Sequence, residues 1–415
     1  MSFDFKKTVL ESGIRVLSEN HPDSRCVVTG FWVGTGTRNE NSRQIGISHL
    51  LEHMVFKGTE KYNALELALR LESRGGDINA FTAREHTCFH TTSLSEDLDL
   101  SVDVLSQLSA FAKFDQTEFD KEKRVVQQEI LMATDDLEEY VYDLYYEKIF
   151  PNNSLGYQIL GSVDSVAAQT IPDIQKYYDD NFVPENIIVT AAGSVNHDEL
   201  VKSVESHLKN KTWNSKNNQS QLITPARHVV NDFQQKDCEQ YHIIVGFPAC
   251  SYSDDDRFNG FVVNTALGGG MTSKLYQSIR EDRGLVYSIF SMLNTFTDTG
   301  IQTIYAGTEQ KHVEEVVDLI RKELKQLKAN GLSNEDIELY KTQAKGQIII
   351  GAEDIDNRMN SIAVNEMVFG EYRAVDTVIA DIDKVNKDSV MAYVQDKLDP
   401  DNLSLFMLGS EPVKL

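Results

Sequence analysis

An internal repeat constrains the fold of this chain more than any other sequence feature. The segment Tyr177–Ser194 reads YYDDNFVPENIIVTAAGS, and the segment Tyr393–Ser410 reads YVQDKLDPDNLSLFMLGS. Their Tyr, Pro, Asn and Gly residues match in pairs that are 216 positions apart (393 − 177). The same offset relates Gly30-Phe31 to Gly246-Phe247, each after an apolar, strand-like run. The 415 residues are therefore predicted to form two similar units of about 200 residues.

A polar stretch separates the two units. Residues 210–221 read NKTWNSKNNQSQ. Because this segment has few apolar side chains to bury, it is expected to be an exposed connection. The predicted division is a domain at 1–210, a linker at 211–222 and a homologous domain at 223–415. Chance similarity of two proline-turn-strand segments is the alternative, which the shared offset at both ends disfavours.

Strands and helices come in separate runs within the first unit. The predicted elements are strands at Arg15–Leu17 and Val27–Val33, helices at Ile47–Lys57 and Ala64–Arg74, a Thr-rich strand region at Asp77–Leu94, and helices near 96–113 and 118–134. Segregated runs of this kind predict an α+β fold. The expected architecture is two homologous domains, each a mostly antiparallel β-sheet with helices packed on one face.

The composition of the chain indicates which kinds of molecule it could bind and in which compartment it could function. The 64 acidic and 40 basic residues give a net charge of −24, which disfavours nucleic-acid binding. The acidic excess is compatible with basic peptides as partners or with solubility alone. The four cysteines form no CxxC pair, and neither a signal-peptide pattern nor a membrane-spanning apolar run occurs. A cytoplasmic location is expected, with a periplasmic or secreted setting as the alternative.

The strongest chemical signal is the sequence HLLEH at positions 49–53. On a helix, His49 and His53 lie on one face, and Glu52 lies on that face three residues after His49. Imidazoles at this spacing are suitable zinc ligands, and a neighbouring carboxylate can carry a proton from water to a leaving amine. HxxEH is the inverse of the HExxH zinc motif. Two histidines with ordinary partners on a helix surface are the alternative.

A catalytic zinc site needs a third protein ligand. On the helical pattern at 118–134, Glu122 and Glu129 are seven residues apart and share a face. Taken alone, a glutamate in the charged stretch FDKEKRVVQQE is more typical of a solvated helix face. Spacing by itself does not bring this helix to His49 and His53.

HLLEHMVFKGT, followed by the downstream glutamate, resembles the inverzincin metallopeptidases, the pitrilysin or insulinase-like family. The short two-unit chain is most similar to the mitochondrial-processing-peptidase branch and its bacterial relatives. The resemblance implies that His49, His53 and Glu129 bind one Zn²⁺ per chain. It also implies that Glu52 is the general base for a zinc-activated water and that Glu122 orients a liganding histidine. The implied activity is endopeptidase cleavage of unfolded peptides of limited size.

The second unit lacks the metal ligands. At the repeat offset, the four metal-site positions fall on Thr265, Gly268, Gly269 and Lys345. This unit therefore has the fold signature of the first without its ligands. The family likewise keeps zinc only in its first domain.

Two segments resemble substrate-binding parts of the family. DINAFTAREHT, from Asp77, is similar to a strand whose open edge binds an extended peptide, which implies substrate contacts by Asn79, Ala80, Phe81 and Thr82. A covered strand is the alternative. LGGGMTSKLYQSIREDRGLVYSIFS resembles a Gly-rich loop with an Arg–Tyr pair, here Arg280 and Tyr287. The pair would bind substrate backbone and stabilise its carbonyl oxygen. A helix-end charge and a core tyrosine are the alternative.

The resemblance also implies an oligomer. Short members of the family enclose a chamber between two chains, so we expect a homodimer in which Arg280 and Tyr287 complete the zinc site of the other chain. Acidic chamber walls would favour basic peptides. Two alternatives stay open: a non-catalytic scaffold or partner subunit of the same family, and the catalytic half of a heterodimeric processing peptidase.

Overall fold

The computed structural model describes residues 4–213 and 223–413. The strands are β1 (Asp4–Val9), β2 (Arg15–Asn20), β3 (Cys26–Val33), β4 (Asp77–Thr82), β5 (Thr87–Leu94), β6 (Ile187–Gly193), β7 (Asn231–Gln235), β8 (Tyr241–Ala249), β9 (Val286–Thr295), β10 (Gly300–Thr308) and β11 (Ser404–Gly409). Of the predicted linker at 211–222, only residues 211–213 belong to the described part, and the rest of that prediction lies outside the described residues.

The helices follow the same chain order. They are α1 (Ile47–Val55), α2 (Ala64–Glu72), α3 (Leu98–Ala110), α4 (Gln116–Ala133), α5 (Leu137–Ile149), α6 (Val163–Ala168), α7 (Ile171–Asn181), α8 (His197–Leu208), α9 (Arg257–Gly268), α10 (Val313–Asn330), α11 (Asn334–Gly351), α12 (Ile355–Phe369), α13 (Val375–Asp383) and α14 (Lys387–Lys397). A π-helical segment spans Tyr276–Glu281. Across the two described ranges, no helix combines the length and apolarity needed to cross a bilayer.

Internal contacts divide the chain into two compact units. The first comprises Met1–Met132, Tyr157–Ile223 and Gly351–Arg373, and the second comprises Ala133–Gly156, Thr224–Ile350 and Ala374–Leu415. Each unit therefore includes a segment from the opposite half of the sequence. The predicted domains at 1–210 and 223–415 are contiguous in sequence and describe the repeat, not the contacts. That division stays a prediction.

The first unit is built on a six-stranded sheet in the order β1-β2-β6-β3-β5-β4. Neighbouring strands are antiparallel except β2 and β6, which are parallel. Side chains alternate between the two faces of a strand, so Val27, Phe31 and Val33 of β3 point to one side. There they pack with buried residues of α1–α4 and α6–α8 in the main core of this unit.

A single helix, α12, covers the opposite face of this sheet. The strand side chains that point away from the main core pack against this helix. Together they form a second apolar cluster of Leu17, Val28, Trp32, Cys88, Ile188, Ala192, Met359, Ile362 and Ala363. The prediction placed helices on one face of each sheet. A helix from far along the chain covers the other face because that face is also apolar and must be buried.

A buried ion pair ties α12 to β2. The Arg358 guanidinium donates to both oxygens of the Glu19 carboxylate, at 2.7 and 2.6 Å, and Tyr372 Oη donates to the same carboxylate at 2.9 Å. The Glu19 and Arg358 side chains are 0% and 5% exposed. Burial alone would raise the pKa of Glu19, but the hydrogen bonds and charge of Arg358 outweigh burial and lower it.

The second unit repeats this plan on a five-stranded sheet in the order β7-β11-β8-β10-β9, in which β7 and β11 are the parallel pair. One face packs against α9–α11 and α14, and the other face packs against α5. The prediction of two mostly antiparallel sheets with helices is confirmed. Helices α5 and α12 occupy nearly matching positions of the repeat, and each covers the sheet of the unit formed mainly by the opposite half of the sequence.

A second ionic cluster surrounds Asp103, a buried residue of α3. Its carboxylate accepts hydrogen bonds from Lys61 Nζ at 3.0 Å and Tyr62 Oη at 2.6 Å, and it lies 2.9 Å from Arg70 Nη2 and 3.3 Å from His207 Nδ1. The hydrogen bond with Asp103 raises the pKa of His207 above its ordinary value, aided by a second aspartate, Asp99. Folding therefore favours the protonated form of His207 relative to the unfolded chain.

We expect His207 to contribute a fall in the free energy of unfolding as pH rises from about 6 to 8. A histidine whose pKa is raised by folding stabilises the protein below its unfolded pKa of about 6.5, and this contribution disappears as pH rises through the folded pKa. The effect should be below about 1 kcal/mol, because the ion pair is partly exposed. Urea unfolding at pH 6, 7 and 8 measures it through Trp32 and Trp213, the chain's two tryptophans, both in the first unit.

The variant His207→Gln should lose this part of the pH dependence. His312→Gln, the same change in the second unit, is the matched control and should keep the wild-type dependence. Identical pH profiles for wild type and His207→Gln would contradict the assignment.

Candidate metal centre

The HLLEH sequence lies on helix α1, which begins after Gly46. Gly46 has φ of 85°, and a Cβ there would lie 2.7 Å from the Leu160 carbonyl oxygen, so glycine alone suits this position. The predicted core-facing stripe of α1 is confirmed, because its members are at most 1% exposed: Ile47, Leu50, Leu51, Met54 and Val55. This burial leaves the histidines and the glutamate on the other face of the helix.

Three predicted ligands come together in the first unit. His49, His53 and Glu129 each offer a ligand atom within 4.8 Å of the other two. Glu129 Oε2 lies 3.9 Å from His49 Nε2 and 3.3 Å from His53 Nε2. Over residues 4–213 and 223–413, no other group of three or more His, Cys, Asp or Glu has such geometry. Helix α4, which sequence spacing could not tie to α1, therefore brings the predicted third ligand, Glu129, to the histidines.

The state of these side chains fits a zinc ion. Two imidazoles and one carboxylate are a known ligand set for catalytic zinc. Glu129 Oε2 is buried and has no hydrogen-bond partner in the described part of the chain, although it faces both imidazoles. Burial, with a smaller effect of His53, lowers the pKa of His49 to about 3, so this imidazole is neutral at pH 7. Neutral imidazole is the form that binds metals.

Glu122 contacts the Nδ1 atom of His53, and Lys57 pairs with Glu122. Glu122 Oε2 lies 3.2 Å from His53 Nδ1, and Lys57 Nζ lies 2.7 Å from Glu122 Oε1. A hydrogen on Nδ1 would donate to Glu122, and Nε2 would then point toward Glu129 with its lone pair available to a metal. The sequence analysis missed Lys57. Lys57 lies just beyond the last residue of α1, four residues after His53, and this spacing is a signal that could have identified it.

Glu52 connects α1 to the edge of the first sheet. Thr82 Oγ1 donates a hydrogen bond to Glu52 Oε2 at 2.5 Å. Burial raises the pKa of Glu52, although the Thr82 hydrogen bond opposes this effect. A carboxyl group with a raised pKa beside two imidazoles is suited to accept a proton and return it.

The predicted substrate strand is β4, an edge strand of the first sheet. Among the described residues β4 pairs with β5, and its other side has no neighbouring strand. Asn79 is exposed, whereas Ala80 and Phe81 are half-buried. The Phe81 ring lies 5.6 Å from the Trp32 ring in an edge-on arrangement. This edge position agrees with the prediction that an extended peptide pairs with β4, and the backbone N–H of Ala80 donates to Asn79 Oδ1 at 2.8 Å.

The predicted Arg–Tyr pair lies in the second unit. The Arg280 guanidinium lies 4.8 Å from the centre of the Tyr276 ring and also donates to the Tyr276 hydroxyl. Tyr287 belongs to β9, an edge strand of the second sheet, and is 75% exposed. The alternative of a core tyrosine is therefore wrong, because its phenol is available to a ligand.

Comparisons with known proteins agree with this geometry. A family model described as "Insulinase (Peptidase family M16)" matches residues 15–163, and "Peptidase M16 inactive domain" matches residues 169–344. An uncharacterized zinc protease of Bacillus subtilis is 34% identical over 385 residues, covering 93% of each chain. Another, of Streptomyces coelicolor, is 35% identical over 400 residues, covering 95% of this chain and 87% of that one.

Solved structures show the same fold. A protease from Helicobacter pylori matches with a TM-score of 0.90 at 19% identity, covering 99% of this chain and 100% of that chain. The model named for an inactive domain covers most of the half in which the repeat predicts no ligands. Similarity to relatives at 34–35% identity extends along nearly the whole chain. This chain therefore belongs to peptidase family M16, the insulinase-like family, and its relatives are named zinc proteases.

Proposed function

We propose that this protein is a zinc-dependent endopeptidase that cleaves unfolded peptides of limited size. The observation that carries the proposal is the meeting of His49, His53 and Glu129 within 4.8 Å on two helices, with Glu52 on the same face. Zinc, when bound, supplies a Lewis acid that polarises the scissile carbonyl and activates water.

The side chains around the site have separable tasks. Glu52 takes a proton from the attacking water and returns it to the leaving amine. Thr82 keeps the Glu52 carboxylate in place through its hydrogen bond. Glu122, paired with Lys57, keeps the hydrogen of His53 on Nδ1 and so leaves Nε2 free to bind metal.

The edge of β4 supports selection of unfolded substrates. An extended peptide can pair with backbone groups along the open edge of this strand, whereas a folded chain has already paired its own. Asn79, Ala80 and Phe81 would contact the added strand. Basic peptides are the preferred class in this proposal, supported by the net charge of −24. The four cysteines are free thiols, which supports a cytoplasmic location.

The direct test is hydrolysis of a quenched fluorescent peptide library, with metal content measured on the same sample. We expect wild-type protein to carry about one zinc per chain and to cut, to lose activity with chelator, and to regain it with added zinc. Zinc binding without any cleavage would favour a scaffold role or a missing partner chain. Absence of zinc binding would refute the site assignment.

We further propose a homodimer in which Arg280 and Tyr287 act on the zinc site of the other chain. Tyr287 is exposed, and the Arg280 guanidinium donates to a hydroxyl group. A phenol and a guanidinium can both donate to a developing oxyanion, which supports this role. Equal amounts of inactive Glu52→Gln and Tyr287→Phe chains should regain activity when mixed, because a mixed dimer contains one intact site. Activity no higher than that of either variant alone would contradict completion in trans. Size measurement of the purified chain separates a homodimer from half of a heterodimer.

A further inference from the structure

Glu40 is a buried residue that contacts the beginning of the ligand helix. It is 5% exposed. Its Oε2 accepts the backbone N–H of Gly46 at 2.9 Å, and its Oε1 accepts the backbone N–H of Ser48 at 2.8 Å. Ser48 directly precedes His49 in the first turn of α1. One side chain therefore holds the backbone on both sides of the helix start, next to a metal ligand.

Helix α1 needs such an acceptor because its own N-terminus lacks one. The first N–H groups of a helix have no partner within the helix and are ordinarily satisfied by a capping side chain. The residue at the capping position is Gly46, which has no side chain, and no side-chain capping bond forms there. Glu40 supplies the missing acceptor from six residues upstream.

The segment around Glu40 is itself attached to the loop that follows β4. The backbone N–H of Arg38 donates to the Arg84 carbonyl at 2.7 Å, and the Arg38 guanidinium donates to Glu85 at 2.5 Å. The same loop begins directly after Thr82, the hydrogen-bond partner of Glu52. The segment that contains Glu40 therefore contacts both the first turn of α1 and the loop after β4. That loop follows Thr82, which holds Glu52 by a hydrogen bond.

We propose that Glu40 is a positioning residue that fixes the first turn of α1 and thereby the orientation of His49 in the metal site. This inference rests on the proposed zinc site. Glu40 does not touch the metal ligands through any contact described above, so it acts through the helix backbone. Groups hydrogen-bonded to a metal ligand commonly change metal affinity by about 10- to 100-fold when removed, and we expect the same range for Glu40.

The test compares Glu40→Gln with wild type by zinc competition against a chromophoric chelator, and by the visible spectrum of the Co²⁺-loaded protein. A glutamine has one acceptor oxygen, so one of the two N–H groups loses its partner. We expect zinc affinity to fall by about 10- to 100-fold and the Co²⁺ spectrum to change. Glu366→Gln is the matched control, because this carboxylate is also buried and pairs with Lys7 and Arg15 instead. It should keep wild-type affinity.

Each outcome is decisive. Wild-type affinity and spectrum in Glu40→Gln would overturn the inference while leaving the zinc site intact. Absence of zinc binding by wild type would refute the proposed function itself. If Glu40→Gln does not fold, Glu40→Asp takes its place, since it keeps both oxygens on a shorter side chain and should show a smaller loss of affinity. Wild-type behaviour of Glu40→Asp, or unfolding of both variants, would likewise overturn the positioning role.

Discussion

Glu52→Gln should abolish peptide hydrolysis and leave zinc binding intact. The substitution keeps the size of the side chain and an acceptor for the Thr82 hydrogen bond, but an amide cannot take a proton from water. A general base of this kind contributes about 10²- to 10⁴-fold to the rate. We therefore expect kcat to fall by about that factor, with about one zinc per chain retained.

The measurement is kcat and KM on a fluorogenic peptide, together with metal analysis. Glu60→Gln, the same change at an exposed residue near α1, is the control and should keep wild-type activity. Retention of more than about a tenth of wild-type kcat would show that Glu52 is not the base. Loss of zinc together with activity would mean that Glu52 is needed to bind the metal rather than to transfer a proton.

The largest effect on stability is expected for Arg358→Met. The side chain of Glu19 is fully buried, so removing the guanidinium leaves its charge in the core of the first unit with only the hydrogen bonds of His21 and Tyr372 to offset it. Breaking a buried pair in this way costs about 3–5 kcal/mol. The double variant Glu19→Leu with Arg358→Met removes both charges and should recover most of that loss, because well-packed apolar residues often replace such a pair at little cost.

Urea unfolding of the single and double variants, followed by tryptophan fluorescence, measures this coupling in the first unit. Lys121→Met provides the contrast, since Lys121 pairs with Glu118 on the surface of α4, where ion pairs contribute at most about 1 kcal/mol. A change below about 1 kcal/mol for Arg358→Met would mean that Glu19 is solvated, protonated or compensated by His21 once Arg358 is gone.

Some features of this protein follow from neighbours in the sequence. The separation of His49, Glu52 and His53 from the apolar stripe of α1 depends only on the helical repeat, and the structure shows it. The start of α2 is similar: Asn63 and Glu66 form the expected capping box, with hydrogen bonds of 2.9 and 3.0 Å. The repeat predicted two related sheets, which the structure also has.

Resemblance to a family supplied what spacing could not. Glu129 lies in a charged stretch whose pattern alone is typical of a solvated face, and its side chain is indeed 45% exposed. The prediction that Glu129 is a ligand depended on the family motif, and in the structure Glu129 lies beside both histidines. Lys57 and Glu40 carried no such motif in the analysis, and both were missed.

By itself, the sequence determined the local geometry: which residues share a helix face, where helices begin, and which half of the repeat lacks ligands. Only the tertiary structure decided that α4 meets α1, that α12 covers the first sheet through the Arg358–Glu19 pair, and that Glu40 holds the start of α1. The reason is physical. Contacts within a few residues are set by backbone periodicity, whereas contacts across hundreds of residues form only when separate elements bury their apolar faces together.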